Sequence, residues 1–79
     1  MHDFVEFVIK RLVDKPDGVQ LLQEEKETNK VVFQLRVEKE DVGKVIGKKG
    51  RTANAIRILL SAIAAREGKR AILEIIDKE

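Results

Sequence analysis

Residues 42–50 read Val-Gly-Lys-Val-Ile-Gly-Lys-Lys-Gly, and Gly47 and Gly50 bracket the pair Lys48 and Lys49. An apolar segment precedes this turn, and a helix-like segment opens at Arg51. A Gly-x-x-Gly turn between two helices lets a nucleic-acid backbone come close, because glycine puts no Cβ in the way. N–H groups at the start of the second helix then point at a phosphate, with the helix dipole behind them. Lys48 and Lys49 add positive charge at the same place, and Lys44 and Arg51 flank them. A cation at a helix start opposes the dipole. That local cost gives Arg51 a phosphate-facing reading as well. The chemistry on offer is a grip on a sugar-phosphate backbone.

Charge is distributed to suit this. The 79-residue chain carries a net charge of only +2. Residues 42–66 hold Lys44, Lys48, Lys49, Arg51, Arg57 and Arg66 and no acid. That segment is +6, and +2 less +6 leaves −4 for the rest. A nearly neutral protein with focused charge carries a binding surface. Arg57 and Arg66 read as solvated charges on the helix face.

Catalytic inventories fail. Residues 43–49 evoke a phosphate-binding NTPase loop, but the spacing is one residue short and lysine follows Lys48 where a magnesium-binding hydroxyl is needed. Ser61 has no histidine to activate it. Glu24 and Glu25 are neighbours on a strand and point to opposite faces. There is no cysteine, and the one histidine, His2, reads as a fraying terminal residue rather than a ligand. No enzyme, metal, cofactor or small-molecule substrate is expected.

The elements that must position the turn are legible in the periodicity. Phe4, Val5, Val8, Ile9, Leu12 and Val13 predict an amphipathic helix over residues 3–14, with Asp3 as N-cap and a stop at Pro16-Asp17-Gly18. Residues 19–25 read as an edge strand and 27–29 as a hairpin connection. Val31, Phe33, Leu35 and Val37 alternate with Val32, Gln34, Arg36 and Glu38, which predicts a half-buried strand over 31–37 with one face on the core. Acids at 38, 40 and 41 suit the start of a short helix from Asp41 to Ile46, stopped by Gly47. A long helix over 51–66 closes near Gly68, and 71–76 is the last strand. The strand–helix–helix–strand crossover should set the last strand parallel to 31–37. The expected fold is a two-layer α+β domain: α-β-β-α-α-β, with a mixed three-stranded sheet covered by helices on one face.

The long helix is apolar on two sides. Ile56, Leu59, Leu60 and Ile63 should face the sheet. Ala55, Ile58, Ala62 and Ala65 lie on another side, where small residues around Ile58 would let a second helix approach. This face reads as a dimer or partner interface. No run approaches the ~20 apolar residues that cross a bilayer, and residues 1–6 do not resemble a signal peptide. A cytoplasmic protein with no membrane contact is expected.

Val45-Ile46-Gly47-Lys48-Lys49-Gly50, set between two helices and flanked by strands, resembles the KH domain. The helix–strand–strand lead-in resembles its type II, prokaryotic form. Over essentially its whole length, taken as one domain from 1 to 79, the chain looks like the small bacterial KhpA (YlqC-like) family. In KH domains the Gly-x-x-Gly loop clamps about four unpaired nucleotides, and the bases lie on an aliphatic groove. The resemblance places Gly47, Lys48, Lys49 and Gly50 in the clamp, Val45 and Ile46 in the apolar pair before it, and Val42 and Gly43 in the preceding turn. It implies single-stranded RNA as ligand, a homodimer or a heterodimer with a larger KH-containing protein, and a role in post-transcriptional regulation or RNA chaperoning. Only three aromatic residues are present, so base stacking on aromatics is not the expected mode. The competing reading is a protein-interaction adaptor that docks through the 51–66 helix with little RNA binding of its own.

Overall fold

A computed structural model describes residues 2–78, less the side chains of His2 and Lys78. The reading of the His2 side chain as a fraying terminal group rather than a ligand falls outside what is described. The chain runs α1 (His2–Leu12), a 3-10 turn (Pro16–Gly18), β1 (Gln20–Lys26), β2 (Lys30–Glu38), a second 3-10 turn (Lys39–Asp41), α2 (Val42–Ile46), a tight turn (Lys48–Gly50), α3 (Arg51–Ala65) and β3 (Arg70–Lys78). The expected α-β-β-α-α-β order and the α+β class are both present.

The sheet order is β1-β2-β3. β1 and β2 pair antiparallel, with Leu21 opposite Leu35. β2 and β3 pair parallel, with Leu35 opposite Ile75. Period-2 alternation on β2 sends Val31, Phe33, Leu35 and Val37 into one core. α1 adds Val5 and Ile9 to that core, and α3 adds Ile56 and Leu60. Each fully buried side chain of this size contributes roughly 1.5–3 kcal/mol. Val32, on the other sheet face, is also buried.

α1 differs from its expected form. Its inward stripe is narrow: Val5 and Ile9 are buried, and Val13 follows them just beyond the helix. Phe4, Phe7 and Leu12 are exposed instead. Side chains one residue apart on a helix diverge by about 100°, so Phe4 and Val5 cannot share one narrow contact. The helix opens at His2, which places Asp3 in the first turn rather than at the N-cap. On α3, Leu59 also faces out, while Ala53 and Ala64 are buried beside Ile56 and Leu60. Small residues let that helix lie close on its neighbours.

Asp41 is fully buried. It does not cap α2 with its side chain. Its Oδ1 accepts the N–H of Asp14 at 3.1 Å, and its Oδ2 accepts the N–H of Lys15 at 3.0 Å. One carboxylate thus ties the segment after α1 to the start of α2. Two surface pairs reinforce the join, Lys15 to Glu40 at 3.1 Å and Lys44 to Asp14 at 2.8 Å.

Asp41→Ala should leave two part-buried N–H groups without their acceptor, at a cost of roughly 1–3 kcal/mol. The thermal midpoint should fall by several degrees or more for a chain of this size. A circular-dichroism melt unchanged from the native one would contradict the role given to Asp41.

Candidate nucleic-acid interface

The turn between α2 and α3 is built from unusual backbone angles. Gly47 has φ 77° and ψ 173°, Lys49 has φ 57°, and Gly50 has φ 74°. The Gly47 N–H donates to the Gly43 carbonyl at 2.9 Å, which closes α2. The Gly50 N–H donates back to the Gly47 carbonyl at 3.1 Å, which closes the turn. A left-handed residue other than glycine costs roughly 1–2 kcal/mol, so Lys49 holds local strain.

The two glycines are required for different reasons. A Cβ on Gly47 would sit 2.9 Å from the backbone nitrogen of Thr52 and 2.7 Å from its Cβ. The first turn of α3 therefore packs directly on the Gly47 α-carbon. A Cβ on Gly50 would stand in open space, with nothing beyond its chain neighbours within 4 Å, and the demand there is the left-handed backbone alone.

α3 begins at Gly50 with no side chain accepting from its first N–H groups and no acid in its first turn. Those N–H groups and the helix dipole present positive potential. Lys48, Lys49 and Arg51 are exposed around them. Among the described residues none of the three pairs with an acid. Lys44 stands apart from this group, since Asp14 holds it. The hydrogen bond from Lys44 to Asp14, and then the Asp14 charge, keep its ammonium above the ordinary value of 10.5.

The apolar residues before the turn divide in two. Val45 has 0% exposure and belongs to the core, so it does not reach a ligand as its place in the motif implied. Val42 is half-buried, Gly43 is exposed, and Ile46 is 39% exposed. Val42 and Ile46 thus give the turn an aliphatic margin. The sheet side of this margin was not legible in the sequence. β2 leads through the 3-10 turn Lys39–Asp41 into α2, and β3 is parallel to β2, so the C-terminal half of β3 lies at the same end. α2 packs against β3 there.

The loop before β3 lies at the other end. Lys69 pairs with Glu25 at 2.8 Å, and the Arg70 N–H donates to the Asn29 carbonyl at 2.8 Å. Residues 67–70 are thereby fastened to the β1–β2 hairpin, a helix length away from Gly47. Ala55, Ile58, Ala62 and Ala65 are all exposed along α3. Arg57 and Arg66 are exposed too, and Arg57 donates to Asn54 Oδ1 at 3.4 Å.

Known proteins are similar to this chain in sequence. A family model described as the KH domain of KhpA/KhpB matches residues 2–75. A protein of Chlamydia trachomatis named RNA-binding protein KhpA is 45% identical over 78 residues, which cover 99% of each chain. The protein of that name from Borreliella burgdorferi is 49% identical over 77 residues, covering 95% of this chain and 90% of its own. The one from Aquifex aeolicus is 47% identical over 77 residues, covering 98% and 96%.

Gly47→Ala should destabilise the chain by roughly 2 kcal/mol or more, through strain and contact with Thr52 together. Gly50→Ala should cost about 1 kcal/mol, and Gly50→Asn less, because asparagine tolerates the left-handed region. Urea unfolding of the three variants checks the order. The Lys44–Asp14 pair has its own pH signature. A raised lysine pKa contributes stability that is complete below 10.5 and is lost as pH rises through the folded-state value. Lys44→Met should therefore melt slightly below the native chain at neutral pH, and the gap should close in strong alkali.

Proposed function

The chain belongs to the KhpA/KhpB KH-domain family, and from that premise we propose that residues 1–79 act as one type II KH domain that binds single-stranded RNA without catalysis. Gly47, Lys48, Lys49 and Gly50 grip the sugar-phosphate backbone. Arg51 and the open first turn of α3 add to the same potential. Val42, Gly43 and Ile46 border the aliphatic groove on which bases rest. Lys44 acts at the edge, since a phosphate must compete with Asp14 for it.

One observation carries this reading. The turn holds a strained, glycine-dependent shape beside three exposed cations that no acid neutralises among the described residues. Strain of this kind is retained where a ligand needs the shape. The relatives carry the words RNA-binding in their names, which is the class of ligand the turn fits.

A single clamp of a few charges binds weakly. Pairing two domains raises the effective concentration of the second clamp. We therefore assign Ala55, Ile58, Ala62 and Ala65 to a helix–helix interface, with a second copy of the chain or a larger KH-containing protein as partner. Ile58, 60% exposed with alanines around it, favours this over a bare surface. Post-transcriptional regulation or RNA chaperoning in the cytoplasm is the matching role. Among the described residues no helix is long and apolar enough to cross a membrane.

Fluorescence anisotropy of a labelled single-stranded RNA tests the clamp. The native chain should bind, and affinity should fall as salt rises, because phosphate contacts release counterions. Lys48→Asp/Lys49→Asp, with its fold intact, should lose about tenfold or more in affinity. Equal binding by both proteins would remove the clamp assignment, and no binding by either at high protein concentration would favour the adaptor reading.

A further inference from the structure

Large apolar side chains of α1 and α3 are exposed. Phe4 is 65% exposed and Phe7 57%, both on α1, while Ile58 is 60% and Leu59 41%, both on α3. Phe4, Val5, Leu59, Ala62, Ile63 and Arg66 line a groove of about 360 Å³ between the two helices. The knob, Ile58, and much of the hole, Leu59, Ala62 and Ile63, belong to the same helix. A surface that carries a knob beside its own hole is self-complementary, which is the requirement of a two-fold interface.

From this arrangement we infer that α1 supplies half of the dimer surface: Phe4 and Phe7 cover the partner's Ile58 as it enters the α1–α3 groove. The inference rests on the α3 interface proposed above and adds an aromatic wall to it. Consider an antiparallel α3 pair in which Ile58 lies opposite Ala62 of the partner subunit. The same register sets Ala55 opposite Ala65 of the partner subunit. It also brings Arg51 within one turn of Arg66 of the partner subunit. α3 carries no acid to offset that repulsion. The helix pair alone is thus small and cationic.

Area leads to the same place. By their fractional exposures the four side chains present roughly 400 Å² per copy, more than half of it from the two phenylalanines. Two copies bring roughly 800 Å², and a polar rim carries that toward the ~1,200 Å² at which specific interfaces begin. Without α1 the remainder falls far short. Aromatic side chains at the centre of an interface also carry a disproportionate share of its affinity.

The composition provides the test. Phe4, Phe7 and Phe33 are the only aromatic residues of the chain apart from His2, and Phe33 is buried in the core. In fluorophenylalanine-labelled full-length protein, the fluorine signals of Phe4 and Phe7 should move as the sample is diluted, and that of Phe33 should stay. Sedimentation velocity of Phe4→Gln/Phe7→Gln, with an unchanged circular-dichroism spectrum, should show a dimer dissociation constant raised about tenfold or more. Ile58→Asp serves as the control for the helix interface. If Ile58→Asp gives monomers while the double variant dimerises as the native chain does, the α1 wall is wrong and the α3 interface stands. If the native chain is monomeric at high concentration, or both variants dimerise normally, both assignments fall. Fluorine signals of Phe4 and Phe7 that do not move on dilution overturn the inference even where the double variant fails to fold.

Discussion

The buried carboxylate of Asp41 is the constraint on which the rest depends. An isolated charge in a protein interior is costly unless hydrogen bonds satisfy it. Here two backbone N–H groups from the segment after α1 do so. α1 otherwise meets the core only through a narrow stripe of valine and isoleucine. The carboxylate fixes where α1 ends relative to where α2 begins. Since α2 is only five residues long, its position also sets that of Gly47. Thr52 then packs on the Gly47 α-carbon and hands the geometry to α3. A core contact is in this way propagated to a surface turn through one short helix.

α3 serves both proposed surfaces. Its N-terminus forms one side of the clamp, and its middle presents Ile58 about two turns further on. An antiparallel pair centred near residue 60 would hold the two Gly50 residues about 30 Å apart along the axis. The clamps would then sit at opposite ends of the paired helices, free to engage separate stretches of one strand. Affinity gained in this way needs no additional contact to any base.

Local patterns in the sequence carried much of this. β2 alternates cleanly, so its inward face could be read residue by residue. The Gly-x-x-Gly turn announced itself because glycine is the residue best suited to the positive φ angles at its two ends. What could not be read depends on distance along the chain or on which part of a wide stripe wins. Asp41 reaches partners 26 and 27 residues away, and the local pattern offered only a helix start. Seven apolar residues between 3 and 14 exceed what one helix can bury against this small sheet, so Phe4, Phe7 and Leu12 are left outside. On α3, Leu59 turns outward and Ala64 inward, because the close approach of that helix favours small side chains. Lys44 has the right charge in the right segment, yet Asp14, 30 residues earlier, holds it.

The central claim is that the Gly47–Gly50 turn and its aliphatic margin form the working surface for single-stranded RNA. A titration of ¹⁵N-labelled protein with a short single-stranded oligoribonucleotide, followed by amide chemical shifts, tests it most directly. The account predicts the largest shifts at residues 42–52 and in the C-terminal half of β3, with small changes at Phe4, Phe7 and Ile58. Shifts concentrated on the α1–α3 groove, with the turn unmoved, would contradict it.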